Sequence, residues 1–176
     1  MQDAAGKVAN SEVVVKMTRP EKKSAPYQGK AQVIPGKVNP CLYDEGGNGV
    51  AYLDDNVNAN KKSGFRVNEG VDATGAVIGH VLTGEWVNLT VDIREAGRYK
   101  VTMDYGAPSG FGGSMMMVLD DRKLLGTFQL PNAGGTGWGG LKSALNGIEL
   151  PAGRHVIKLI AVGAFNYSYL DFQLEK

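Results

Sequence analysis

Two stretches near the end of the chain carry the side chains best suited to binding a small polar molecule. A glycine-rich loop, residues 134–140, displays Trp138, and the flanking glycines leave no neighbouring side chains to cover the indole. Asn166 begins the last alternating segment, between Phe165 and Tyr167. An exposed indole is a flat apolar plate, and a carboxamide offers both donors and acceptors. Together they suit a sugar ring, which has an apolar face and a rim of hydroxyls.

Both residues also have a purely structural interpretation. Trp138 could fold back to plug one end of the domain, and Asn166 could be a turn or bulge residue satisfied by the backbone. Because asparagine is a poor strand former, we expect a specific hydrogen bond to hold Asn166 in place. The second tryptophan, Trp86, begins a strand and is predicted to pack in the core or on a sheet face. His155 lies in an alternating strand and is assigned no chemistry.

Enzyme signatures are missing from the sequence. It contains neither a Gly-x-Ser-x-Gly elbow nor a His-Glu-x-x-His zinc motif. A glycosidase needs two acids only about 5–10 Å apart in space, a separation that sequence does not give. The candidate acids fall on predicted strand faces and turns, where acids are usually solvated: Asp104, Asp120, Asp121 and Asp171. We therefore predict a binding protein and not an enzyme.

Composition narrows the class of protein further. The 176 residues fit one domain of ordinary size, and 19 basic residues nearly balance 18 acidic ones, for a net charge of +1. This balance argues against a nucleic-acid partner, which usually needs a basic patch. The single cysteine, Cys41, excludes an internal disulfide and a cysteine-based zinc cluster. No run of 18 apolar residues exists, so no membrane-spanning helix is predicted.

The apolar pattern predicts strands separated by turns. Val87, Leu89, Val91 and Ile93 alternate with polar residues, and the 25 glycines favour turns over helices. Strands are predicted at 86–93, 99–105, 114–119, 124–130, 144–150, 155–162 and 167–174. No window has a sustained helical period, so no helix longer than a turn is expected. Many short antiparallel strands indicate an all-β fold, an antiparallel β-sandwich of the jelly-roll type.

The first thirty residues differ from the rest. Residues 16–30 are charged, punctuated by proline and poor in large apolar side chains, a composition typical of a linker. We place the domain boundary near residue 30 and assign residues 31–176 to the sandwich. The segment 1–30 is predicted to be a linker or the remnant of a preceding domain.

Several segments, in their order along the chain, resemble carbohydrate-binding module family 6, the small sugar-binding β-sandwiches appended to polysaccharide-degrading enzymes. The resemblance runs from about Ile34 to Leu174. It is carried by Ile34-Pro35-Gly36-Lys37-Val38, by residues 43–52 (YDEGGNGVAY), by Glu69-Gly70-Val71-Asp72, Gly84-Glu85-Trp86-Val87, Glu95-Ala96-Gly97-Arg98-Tyr99, Leu150-Pro151-Ala152-Gly153-Arg154-His155 and the Asn166 strand.

The resemblance implies a sugar site in loops at one edge of the sandwich. A loop tryptophan stacks on the sugar, a second aromatic faces it, and an asparagine of the last strand binds the hydroxyls. Trp138 and Asn166 match the first and last of these. The second aromatic is expected within residues 77–80, where only His80 could serve. Asn48 stands where relatives often carry a glutamate near the cleft, so it is a further expected sugar contact.

The resemblance also implies a structural calcium, but its acids are replaced here. Val38-Asn39-Pro40-Cys41 stands in place of Ile-Glu-Ala-Glu, and Ser168 replaces a third acid. Calcium prefers several oxygen ligands that include carboxylates. We therefore expect no metal of the usual kind, with Asp171 and backbone carbonyls as the ligands that remain. The oxygen-rich residues 54–60 lack the spacing of an EF-hand loop and are expected to form a polar surface loop.

The implied function is that of a non-catalytic module that holds a parent glycoside hydrolase on its polysaccharide. We expect a secreted or periplasmic bacterial protein, monomeric, whose partners are an oligo- or polysaccharide and enzyme domains of its own chain. Residues 4–15 resemble the final strand of an immunoglobulin-like domain, such as those of glycoside hydrolase family 2. The alternative is a structural spacer that kept the sandwich and lost its ligand. The missing second aromatic and the replaced acids favour that alternative.

Overall fold

A computed structural model describes residues 23–55, 60 and 64–176 of the chain. The expectations for residues 1–22, and for part of the loop at 54–60, lie outside the described residues. The described part contains ten strands and two three-residue 3-10 turns, Tyr27–Gly29 and Pro40–Leu42. The strands are β1 (Gln32–Ile34), β2 (Gly36–Val38), β3 (Tyr52–Leu53), β4 (Ile78–Val81), β5 (Trp86–Ile93), β6 (Gly97–Gly106), β7 (Gly112–Leu119), β8 (Lys123–Leu130), β9 (Leu141–Leu150) and β10 (Gly153–Leu174).

The strands form two layers. In the first, β5 pairs with β1 and β3 along one edge and with the first half of β10 along the other, followed by β7 and β8. In the second, the last half of β10 lies between β6 and the short strands β2 and β4, and β9 pairs with β6. Only β1 with β5 is parallel among these pairings. The all-β sandwich is confirmed, and no helix among the described residues is long and apolar enough to span a membrane.

A single strand, β10, belongs to both layers. It runs for 22 residues, pairing with β5 and β7 up to Ala164 and with β4, β6 and β2 from Phe165 onward. The sequence predicted two strands here, 155–162 and 167–174. The prediction of a break was wrong: Gly163 has φ 120° and lets the chain bend between the layers without leaving extended structure.

The other predicted strands from Trp86 onward are confirmed, with small changes at their ends. The turn at Asp120 and Asp121 joins β7 to β8, and both residues have positive φ (52° and 56°), as a tight type I′ hairpin turn requires. Strand β9 begins at Leu141, three residues before the predicted start at Ala144. Trp86 lies half-buried on a sheet face, where the Lys158 ammonium is 4.3 Å from the ring centroid.

Apolar residues of both layers fill one core. Phe128, Phe165, Phe172, Met103 and Met117 are all at most 1% exposed. The outer face of β5 is covered as well, by the segment between β2 and β3. There the buried Asp44 carboxylate accepts hydrogen bonds from the backbone N–H of Thr90 (2.8 Å) and its hydroxyl (2.7 Å). A buried carboxylate is tolerated because these donors replace its lost hydration.

The segment 23–30, part of the predicted linker, lies against the sandwich. Ala25 pairs with Glu45 as an isolated bridge. The Arg66 guanidinium, whose side chain is 4% exposed, lies 4.9 Å from the Tyr27 ring centroid and 3.5 Å from that of Tyr43. It donates hydrogen bonds to the Tyr43 and Asp44 carbonyls. One arginine thus joins this segment to the core.

We expect Gly163→Ala to destabilise the fold strongly. A Cβ on Gly163 would lie 2.2 Å from the carbonyl oxygen of Gly112, so either β10 or β7 must move apart. The expected loss in free energy of unfolding is about 3 kcal/mol or more, measured by urea denaturation. Gly64→Ala is the control, because a Cβ there meets nothing within 4 Å. Equal unfolding midpoints for the two variants would contradict the close crossing of the strands.

Candidate functional site

Asn166 lies on β10 just after the strand enters the second layer. Its register partner on β6 is Gly106, and β4 runs along the other side. The backbone N–H of His80 donates to the Asn166 Oδ1 at 3.2 Å, which is the specific hydrogen bond expected for this residue. Because a backbone N–H only donates, the amide must present its oxygen to β4. No described residue accepts from the Asn166 Nδ2, so two N–H donors remain for a ligand.

Trp138 reaches the same place through its backbone. The loop that carries it, residues 131–140, joins β8 to β9 and is exposed throughout. A Cβ on Gly106 would lie 2.0 Å from the Trp138 carbonyl carbon and 2.3 Å from the Gly139 nitrogen. Side chains of paired residues on antiparallel strands point to the same face. The loop therefore crosses β6 on the face where Asn166 projects, and the indole there is 46% exposed.

Hydrogen bonds fix this loop to the one after β6. The Ser109 N–H donates to the Gly135 carbonyl at 2.9 Å, and the Ala133 N–H donates to the Ala107 carbonyl at 3.3 Å. At the base of the loop, the Tyr105 hydroxyl donates to the Pro131 carbonyl at 2.9 Å. Five glycines in the loop would otherwise leave it with many conformations. These contacts hold the loop across the end of the second layer.

Phe111 lies beside Trp138 and was not among the residues predicted from the sequence. It follows β6 in the adjoining loop, is 44% exposed, and its ring centroid lies 4.7 Å from that of Trp138, with the planes tilted by 58°. The expected second aromatic was sought only within residues 77–80. Yet Phe111 stands between Gly110 and Gly112, the same glycine-flanked setting that singled out Trp138. The glycine flanks are therefore the sequence feature from which Phe111 could have been predicted.

His80 and Asn48 occupy different surroundings. His80 is exposed on β4, with a positive φ of 51°, and its backbone bond to Asn166 places it beside the carboxamide. Asn48 lies in the loop before β3, where its Nδ2 donates to the Asp54 carbonyl (3.0 Å) and its Oδ1 accepts from the Asp54 N–H (3.2 Å). The structure thus brings the backbones of Trp138 and His80 to the position of Asn166, on its two sides. The role of Asn48 as a sugar contact stays a prediction, since its amide already serves a loop.

Three carboxylates meet beyond the end of β4. Oxygens of Asp54, Asp55 and Glu85 all lie within 4.8 Å of one another, close enough for a shared proton or a single cation. The Leu82 N–H donates to the Glu85 Oε2 at 2.9 Å. Burial first, and then the negative charge of Asp54, raise the pKa of Glu85 to about 7 from its ordinary 4.5. Sequence reasoning placed the two aspartates in a polar surface loop and did not include Glu85.

The residues at the family's calcium position do not supply the usual ligands. The Asn39 side chain accepts from the Cys41 N–H (3.0 Å) and donates to the Gly75 carbonyl (2.8 Å). Val38 and Cys41 are fully buried. The Asp171 carboxylate accepts from Gln173 at 2.8 Å. This donor set, with one carboxylate and one engaged carboxamide, does not fit a calcium ion.

The fold is an all-β sandwich with an exposed aromatic ring and an oriented carboxamide at one edge. The chain belongs to carbohydrate-binding module family 6, because the family model described as "Carbohydrate binding module (family 6)" matches residues 41–176. Members of this family are non-catalytic sugar-binding modules. A search of curated proteins found no match.

Solved structures share the fold at low sequence identity. A family 6 module of Clostridium stercorarium, solved with cellobiose, is 16% identical, with a TM-score of 0.60 over 84% of this chain and 99% of the other. A β-1,3-glucan binding module of Bacillus halodurans is 19% identical, with a TM-score of 0.56 over 82% and 99%. A family 43 arabinoxylan arabinofuranohydrolase of Bacillus subtilis, in complex with cellotetraose, is 16% identical, with a TM-score of 0.55 over 83% of this chain. This chain covers 28% of that enzyme.

We expect Glu85→Gln to change the pH dependence of stability. The folded pKa lies above the ordinary value, so the wild type loses stability as pH rises from about 4.5 to about 7. Glutamine keeps an acceptor for the Leu82 N–H and carries no charge. The variant should therefore be more stable at pH 8, by about 1 kcal/mol for this partly solvated group, and the gap should close near pH 5. Urea denaturation at both pH values measures the difference.

The control for this variant is Glu149→Gln, on the exposed face of β9. It should shift stability by no more than about 0.5 kcal/mol at either pH. A Glu85→Gln effect of equal size at pH 5 and pH 8 would show that the carboxyl does not titrate in this range.

We expect Gly106→Ala to displace the Trp138 loop while the sandwich stays folded. The added Cβ would overlap the Trp138–Gly139 peptide, and the flexible loop should yield before the paired strands do. Amide and indole N–H chemical shifts of residues 131–140 report the displacement. Gly139→Ala, in the same loop, is the matched control because its Cβ meets nothing within 4 Å. Identical spectra for the Gly106 variant and wild type would place the loop elsewhere.

Proposed function

We propose that this module binds an oligo- or polysaccharide in the edge notch formed by Trp138, Asn166 and His80. The proposal is supported by one observation, the position of the exposed Trp138 loop and of the oriented Asn166 carboxamide. Both are brought to one face of the second layer through Gly106. Membership of the family indicates that the ligand is a carbohydrate, and the contacts are proposed from the residues of this chain.

Each residue has a distinct part in recognition. The indole stacks on the apolar face of a sugar ring, while the Asn166 Nδ2 donates to hydroxyls on its rim. The hydrogen bond from the His80 N–H keeps the carboxamide in one orientation, so its donors are already aligned before the sugar arrives. His80 is the residue of β4 next to the carboxamide, and we propose that its side chain contributes a polar contact to the sugar.

The affinity of such a site is modest. Stacking contributes about 1 kcal/mol beyond the burial of area, and each hydrogen bond adds about 1 kcal/mol. After the cost of association, a dissociation constant in the range of about 1 μM to 1 mM follows. Binding of this strength suits a module that keeps a catalytic domain near an insoluble polymer, where many sites are available.

We further propose that the module acts in cis, as a monomer, within a secreted or periplasmic bacterial glycoside hydrolase. The support is the similar fold within the much longer arabinofuranohydrolase chain. We also propose that the site does not depend on calcium, which is supported by the protein groups that form the Asn166 bond and the loop contacts.

The alternative function is a structural spacer. It is favoured by His80, which stands where the resemblance implies an aromatic ring, and by the altered calcium position. A spacer predicts an indole that no saccharide perturbs, whereas a catalytic domain predicts release of reducing sugars. We expect perturbation of the indole and no sugar release.

The test is a titration of Trp138→Ala and Asn166→Asp with cello-, xylo- and laminari-oligosaccharides, followed by calorimetry. The alanine variant should lose at least about tenfold in affinity. The aspartate variant keeps an oxygen for the His80 N–H and removes the Nδ2 donors, so it should lose affinity without losing stability. Trp86→Phe, on the first layer, is the control and should bind as wild type does.

The proposal fails if the wild type binds none of these saccharides, nor agarose or mixed-linkage glucan, while it remains folded. It also fails if Trp138→Ala binds with unchanged affinity, since the site would then lie elsewhere.

A further inference from the structure

Phe111 and Trp138 form an apolar pair that is not explained by core packing. Both side chains are close to half exposed, although their ring centroids are only 4.7 Å apart. Each sits on a glycine-rich loop where few other large side chains are available. Exposed apolar side chains in contact with each other form a patch that lowers solubility, and such patches often mark binding sites.

The loop that carries Trp138 has few means of holding the indole. Its backbone is fixed by Gly106 beneath the Trp138–Gly139 peptide and by the Ser109–Gly135 hydrogen bond. These contacts are made by the backbone and so position the Cα of Trp138, not its side chain. Among the described residues, Phe111 supplies the only aromatic contact to the indole. Its ring, tilted by 58°, covers part of the indole and leaves the remainder to solvent.

We propose that Phe111 is a positioning residue for saccharide binding, which holds the indole in its binding orientation before the sugar arrives. This inference rests on the proposed function and adds to it a role for a residue of the β6–β7 loop. An indole fixed in advance loses less rotational freedom on binding, which strengthens affinity without a contact between Phe111 and the sugar. Because Phe111 covers one side, the sugar stacks on the side that it leaves free.

The test uses a Trp86→Phe background, so that Trp138 is the only source of indole fluorescence. Phe111→Ala, Phe111→Leu and Phe111→Tyr are compared with Leu124→Ala, a control at an exposed apolar position (57%) on β8. Fluorescence anisotropy and acrylamide quenching of the free protein measure the freedom of the indole. Calorimetry with the tightest oligosaccharide of the panel measures affinity and its entropic part.

We expect Phe111→Ala to lower anisotropy, increase quenching, and weaken binding by about three- to tenfold, mainly through a less favourable entropy. Tyrosine should restore both measurements, leucine should restore them in part, and Leu124→Ala should change neither. Thermal unfolding checks that each variant is folded. If Phe111→Ala is unfolded, the comparison of Phe111→Leu and Phe111→Tyr with wild type tests the proposal instead.

Two results would overturn the proposal. One is an indole whose anisotropy and quenching are unchanged in Phe111→Ala, and the other is a freer indole with unchanged affinity. Loss of affinity without a change in the free indole would assign Phe111 a direct sugar contact, which also contradicts a positioning role. If the wild type binds no saccharide, the proposed function itself fails, and a role in sugar binding fails with it, whatever the quenching shows.

Discussion

Continuous extension of β10 is the constraint on which the rest of the structure depends. A strand of 22 residues can pass from one layer to the other only where neighbouring backbones approach without side chains between them. Gly163 faces Gly112 and Gly113 at that point, and all three have positive φ. Once the crossing is fixed, the register of the last half of β10 is fixed too. Asn166 then has to lie between β4 and β6, at a partly exposed position three residues beyond the crossing.

The site follows from this position by a chain of short contacts. A carboxamide at the edge of a layer would rotate freely in water, but the His80 N–H holds its oxygen and turns its donors outward. On the other side, the absence of a side chain at Gly106 admits the backbone of the Trp138 loop. Gly163 and Gly106, which lie far apart in the sequence, thus determine much of where Asn166 and the Trp138 loop lie. The placement of the candidate side chains is therefore an outcome of backbone geometry.

Much of the fold could be predicted because alternation of apolar residues marks strands whose two faces differ. The segments from Trp86 to Leu130 were located on that basis to within a few residues. The largest difference lies within β10, where two strands were predicted and Gly163 is a bend within one continuous strand. The Arg66 stack and the buried Asp44 could not be foreseen, because they depend on loops that meet only in the folded chain.

The sequence predicted which residues belong to the candidate site, but not how they are arranged in space. Glycine flanks identified Trp138, and poor strand propensity identified Asn166, but neither signal states that Gly106 joins them. Phe111 has the same glycine flanks as Trp138, but the family resemblance implies the second aromatic within residues 77–80 and does not indicate Phe111. Glu85 was overlooked for a different reason. Its raised pKa arises from burial and from Asp54, about thirty positions earlier in the sequence, and such pairings become visible only with coordinates.

The contact of Arg66 with Tyr27 limits where this module can be separated from, or fused to, other proteins. The Arg66 guanidinium lies between the rings of Tyr27 and Tyr43 and is almost wholly sheltered from water. A module that begins at residue 31 would lack the Tyr27 ring and the Ala25–Glu45 bridge. The Arg66 guanidinium, which is buried in the intact fold, would then be exposed to solvent. A transplantable unit therefore has to begin before Ala25, and a fusion partner attached there would be held close to the body of the sandwich.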